Sequence, residues 1–206
     1  AVASSYLAGN SPQPVVRPIT SALTALSLHR LGLDIEAGRI YDFFASPLAT
    51  TGYVLPTYLT SGQAGPNRLA WLNDDSVIIK PIRLSDNATL LYALARSILL
   101  SIENNKQTPQ EWKKRWQKIG RVLADFLCDN IDPASKLPRP TYQLWSDQPS
   151  TSSSDVIATY EALRLASQVA DKLRDVDSAI KYRVVIDDIS ANIDELWNKR
   201  TGYFYA

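Results

Sequence analysis

Connection length is the feature that most restricts what this chain can fold into: helix-period segments joined by very short turns alternate with two long loops. A segment with apolar residues at three- and four-residue spacing buries one stripe, and a tight link makes the next such segment pack antiparallel against it. The first pair covers 15–34 and 35–46. Ile19, Leu23, Leu26 and either Leu28 or Leu31 fall on one face, Gly32 stops the first helix, and the second ends before Pro47. Asp86 is positioned to cap a third helix over 86–105, with apolar residues at 90, 91, 94, 95, 98 and 99. Thr108, Pro109 and Glu111 form a capping box that opens a fourth helix, running to Asn130. Segments 153–173 and 176–199 make the last pair, closing at Thr201 and Gly202. About six helices in three hairpins are therefore expected, with no parallel-strand pattern, and the fold class is all-α.

The two long connections, roughly 46–85 and 131–151, are rich in Gly, Pro, Tyr and Trp. Loops of that length inside a compact domain are uncommon and, when ordered, tend to be functional. Tyr53, Tyr58, Trp71, Tyr142 and Trp145 all lie in them. Such rings suit the apolar faces of pyranose sugars, or else they pack the loops onto helix ends. Trp112, Trp116 and Trp197 fall on helices at core-compatible spacing and are expected to pack. Arg17, Lys80 and Arg83 stand at loop edges, where they can serve sugar hydroxyls or surface ion pairs alike.

Composition removes other classes. Net charge is +1 with both signs interspersed, which leaves no footprint for nucleic acid. No apolar run reaches the ~18 residues of a membrane span. No signal-peptide pattern opens the chain, and its compartment stays open. A single cysteine, Cys128, excludes an intrachain disulfide and a cysteine zinc site, and reads as a buried small apolar residue. His29, the one histidine, sits among Ala and Leu and reads as a packing residue. The serines at 150 and 152–154 read as helix caps rather than nucleophiles, since no G-x-S-x-G elbow surrounds them. Asn87-Ala88-Thr89 matches the glycosylation pattern by accident, at a helix start.

Four stretches in order resemble the glucoamylase-like enzymes, the family 15 glycoside hydrolases. The segment from Val15 to Phe44 is similar to the family's R-D segment with its Ala/Leu-rich helix and E-A-x-R-x-x-D-F run. The stretch 51–75 is similar to a loop carrying D-G-x-L, a Tyr, a Gly and a Trp. Residues 79–98 resemble the segment that donates an aspartate to the non-reducing-end glucose. The loop L-P-R-P-T-Y-Q-L-W-S-D, 137–147, resembles L-P-x-P-S-Y-D-L-W-E-E, and W-x-x-x-x-G-x-F closes the chain.

The resemblance implies that residues 1–206 form a single partial domain: helical hairpins making about half of an (α/α)6 toroid, with both long loops on one face. It implies an oligosaccharide or α-glucan ligand, no cofactor and no metal, and a place for the rest of the toroid or a partner chain. Arg17 matches the Arg of R-D, with Pro18 in place of the Asp. Asp86 matches the sugar-contacting aspartate, and Trp145 the tryptophan beside the general acid. Ser146 and Asp147 stand where the family has two glutamates. Inverting hydrolysis needs one carboxylic acid for the leaving oxygen and one carboxylate for water, roughly 6.5–9.5 Å apart. A serine has no proton to give at useful pH, so Asp147 is the acid candidate, its other reading being a turn cap or sugar contact. Three functions remain open: an α-glucan hydrolase, a catalytically inactive sugar-binding or regulatory domain of the same fold, and an unrelated hairpin scaffold.

Overall fold

The computed structural model describes residues 3–8, 11–65, 82–105, 110–142 and 149–204. All six expected helices are present among them. The first, α1 (Pro18–Arg30), opens with Pro at its first position, where the missing N–H has no intrahelical partner to lose. It closes on Gly32, whose φ of 79° suits a residue without Cβ. There the Gly32 amide donates to His29 and the Leu33 amide to Leu28, which satisfies two terminal carbonyls. The α2 helix (Asp34–Phe43) follows at once. A short helix that the sequence pattern did not announce, α3 (Ala45–Thr51), then runs through Pro47, tolerated because it falls in the first turn.

The α4 helix (Leu84–Asn105) is the longest, and the apolar positions expected of it, from Leu90 to Leu99, are all buried. It starts two residues earlier than the pattern suggested, so Asp86 lies inside the first turn and is not the cap. The next expected helix is built as α5 (Gln110–Arg115), a π turn (Trp116–Gly120) and α6 (Arg121–Asp129) in direct succession. Part of its expected capping box, 106–109, lies outside the described residues. The π turn has a local cause. A Cβ on Gly120 would lie 2.4 Å from Cε3 of Trp116, so only glycine lets the indole, 2% exposed, lie against the helix backbone.

The α7 helix (Ser153–Lys172) is capped by Ser152, whose hydroxyl accepts from the Asp155 amide at 3.2 Å. The α8 helix (Val176–Asn192) ends earlier than expected. Asn192 turns its side-chain amide onto the Asp188 carbonyl, and the chain passes through a 3-10 turn, Ile193–Leu196. Trp197 then sits on a strand and is 41% exposed, which corrects the expectation that it packs from a helix.

Strands are few and short. In chain order, β1 (Ala3–Ala8), β2 (Ser11–Val16) and β3 (Tyr58–Leu59) form an antiparallel sheet in sequential order. Two further hairpins pair β4 (Thr141–Tyr142) with β5 (Pro149–Ser150) and β6 (Trp197–Asn198) with β7 (Tyr203–Phe204).

The helices form two layers. α1, α4 and α7, the first helices of the three hairpins, pack side by side, and α2, α5–α6 and α8 cover them from outside. Tyr41 of α2 hydrogen-bonds Ser97 of α4 at 3.0 Å, and burial drives its phenol pKa up. Arg115 reaches across to Asp42 with two 2.9 Å bonds while its guanidinium lies 4.9 Å from the Trp112 ring centre. His29 packs edge-on to Trp112 at 5.1 Å, and Cys128 is buried, its thiol pushed up to about 12 by desolvation.

The face expected of α1 holds only in part. Leu26 is buried and Leu28 packs against the core, beside Ser21, Ala22, Ala25 and His29, whereas Ile19, Leu23 and Leu31 are 37%, 50% and 76% exposed. Small residues let α1 approach α4 closely, and the larger apolar ones are left at the open edge of the layer. The other edge, α7–α8, likewise exposes Ile157, Val176, Ile180 and Val184. Among the described residues no helix is long and apolar enough to cross a membrane.

Candidate functional site

Three parallel inner helices put their N-terminal ends on one rim. Arg17 is the residue before α1, Asp86 lies in the first turn of α4, and Asp155 in the first turn of α7. Their charges act on one another directly: Asp86 feels Arg83, Asp155 and Arg17. Asp86 is 3% exposed, and its Oδ2 has no hydrogen-bond partner among the described residues. Burial first, and then the like charge of Asp155, push its carboxyl up to about 6, against the pull of Arg83 and Arg17. A carboxyl in that range can accept from hydroxyl groups or give up a proton near neutral pH.

Asn87 builds the floor of this rim. It is fully buried, its Oδ1 accepts from the Val54 amide at 2.8 Å, and its Nδ2 donates to the Val54 and Arg83 carbonyls at 3.2 and 2.8 Å. These bonds hold the 52–56 loop against α4 and leave the amide nothing to offer a glycosylating enzyme. Asn87→Ala is expected to cost ~2–3 kcal/mol, because buried backbone groups lose their partners. Urea denaturation of the variant checks this, and a change below ~0.5 kcal/mol would show that the loop is held by other contacts.

The second loop is rooted at the same rim. Thr141 donates to Asp155 Oδ2 at 3.3 Å, Thr151 donates to the Pro138 carbonyl at 3.2 Å, and the β4–β5 pair joins the strands at Thr141 and Ser150. Asp132 organises the preceding turn by accepting from the Ala134 and Ser135 amides, both at 2.9 Å.

The expected site residues divide as follows. Arg17 and Asp86 come together on the rim. Tyr53 is half-buried, its ring 5.4 Å from that of Phe126. Tyr58 is corrected to a core residue: it is 2% exposed, edge-on to Phe43 and Phe44, and its hydroxyl accepts from the Leu55 amide at 2.7 Å. Burial pushes that hydroxyl up to about 12, and no face of the ring is left for a sugar. Tyr142 contributes backbone to β4. Trp71, Lys80, Trp145, Ser146 and Asp147 lie outside the described residues.

Asp155 is the residue that sequence reasoning missed. Three positions after a Ser cap, an acid reads as ordinary capping chemistry, and only its 2% exposure marks it out. No group of three or more His, Cys, Asp or Glu side chains among the described residues could hold a metal ion.

A two-layer all-α arc of three helical hairpins, with polar residues gathered on the rim of its inner layer, is a glucoamylase-like fold. The chain superposes on a bacterial glucoamylase solved in complex with acarbose at a TM-score of 0.63, with 19% identity, covering 88% of this chain and 22% of the other. It superposes on the glucoamylase of Saccharomycopsis fibuligera at 0.62, with 12% identity, covering 91% and 41%. The chain thus spans about a fifth and two-fifths of these two proteins. No protein-family model and no curated protein sequence matches it.

Proposed function

We propose that this protein binds α-linked glucans at the rim formed by the N-terminal ends of α1, α4 and α7. The observation that carries the reading is the buried Oδ2 of Asp86, unpartnered among the described residues, in a fold whose solved representatives include a glucoamylase complexed with acarbose. A buried carboxylate oxygen without a partner is costly unless a ligand completes it, and sugar hydroxyls are donors of the right size. Arg17 and Arg83 supply donors beside it, and the family resemblance adds Trp71, Tyr142 and Trp145 as candidates for stacking on the sugar. The apolar residues exposed on α1–α2 and α7–α8 support further hairpins of the same fold docking at both edges.

Hydrolysis with inversion is the second reading. What favours it is Asp147, which stands in the sequence between β4 and β5 where the resembling family carries a glutamate. Isothermal titration with maltotetraose tests the first reading, and glucose release from maltose, isomaltose, maltotetraose and trehalose tests the second. Binding by the wild type, reduced by Asp86→Ala, is expected. Turnover abolished by Asp147→Asn with binding retained would establish the hydrolase. A folded protein that binds none of the four sugars would overturn both.

A further inference from the structure

Resting on the glucan-binding reading, we infer that Asp155 is the second carboxylate of the site and that it grips, together with Asp86, two adjacent hydroxyls of one pyranose ring. The two aspartates lie in the first turns of neighbouring parallel helices, and each is at most 3% exposed. An acid serving the helix dipole alone works as well in solvent, so dipole compensation does not account for burying Asp155.

The surroundings are polar and incompletely used. Thr159, one helical turn beyond Asp155, is fully buried and its hydroxyl has no partner among the described residues. Asp86 Oδ2 and Nε of the half-buried Arg83 are likewise buried atoms with no partner among the described residues. Elsewhere among the described residues Tyr41 closes on Ser97 and Asn87 on Val54, and Trp116 Nε1 is a lone unmatched donor. At this rim unmatched groups of both kinds occur together: carboxylate oxygen as acceptor, guanidinium as donor, hydroxyl as either. Vicinal sugar hydroxyls present the complement, since each gives one proton and accepts another.

Hydroxyl donors favour the ionised form of Asp86, against its burial and the like charge of Asp155. Affinity should therefore rise with pH through the range in which Asp86 ionises. The charged and titratable groups that act on Asp86 are Arg83, Asp155 and Arg17, with the Tyr58 phenol coupled to it as well.

The test is titration of maltotetraose into the full chain between pH 4 and 8, for the wild type, Asp155→Asn and Asp155→Glu. Asp155→Asn is expected to weaken binding about tenfold at pH 7. It should also move the pH profile to lower pH, because Asp86 loses a neighbouring negative charge. Asp155→Glu keeps the charge, so its profile should match the wild type while affinity falls severalfold. That variant carries the test if Asp155→Asn does not fold. A loss of thermal stability with affinity and profile unchanged would make Asp155 a helix cap only and overturn the inference, leaving the glucan reading intact. Absence of binding by the wild type itself would overturn the glucan reading first and this inference with it.

Discussion

Asp86→Asn is expected to stabilise the fold by on the order of 2–3 kcal/mol at pH 7 while weakening maltotetraose binding about a hundredfold. The two effects share one cause. Asp86 is almost fully buried, and its carboxyl is held at about 6, well above its ordinary 3.8. The folded state therefore binds a proton that the unfolded chain has released, and stability falls as pH rises from about 4 through about 6. Below both values the carboxyl is neutral in either state and contributes no difference. Asparagine keeps the shape without the charge, so the stability gap between variant and wild type should open between pH 4 and pH 6 and close in acid. Guanidinium denaturation of both proteins at pH 4, 5, 6 and 7 measures the gap. A constant gap across that range would mean that Asp86 is not the titrating group. The binding loss follows because a charged acceptor that meets hydroxyl donors contributes more than a neutral amide in its place. Stability given up at a ligand site is the signature of a group kept for binding rather than for folding.

Trp116→Ala should produce the largest stability loss in the chain, ~3–5 kcal/mol, with a matching fall in the urea midpoint. The indole is 2% exposed at the start of the π turn and fills the space where α5–α6 meets the inner layer. Gly120→Ala alone should cost ~1–3 kcal/mol, since its Cβ would fall 2.4 Å from the Trp116 ring. The pair are coupled. With the indole gone, the new methyl group meets no obstacle and partly refills the cavity, so the double variant should lose clearly less than the two singles added together. Strict additivity would show that the π turn is set by something other than this ring.

Much of the fold was legible because its determinants are local. The apolar spacing from Leu90 to Leu99 predicts the buried stripe of α4, and Ser152 and Gly32 act as the start and stop that their positions imply. Where reading failed, a neighbour distant in the chain decided the matter. The Leu-rich stripe of α1 reads as its core face, yet close approach to α4 selects Ala22 and Ala25 for burial and leaves Leu23 outside. Tyr58 reads as a loop aromatic free to meet a ligand, but Phe43 and Phe44 enclose it.

By itself, then, the sequence determined the all-α class, the three hairpins and the stops and starts at Gly32 and Ser152, because periodicity and backbone sterics act over a few residues. It also carried the resemblance that marks Arg17 and Asp86. Tertiary structure alone decided which polar residues come together on the rim. Asp86 is buried and perturbed because α4 is covered by its neighbours, Asn87 becomes a clamp because Val54 arrives 33 residues earlier in the chain, and Asp155 joins Asp86 because α7 lies beside α4. Desolvation and charge coupling are properties of packed surroundings, and no local pattern in one segment encodes what another segment will bring to it.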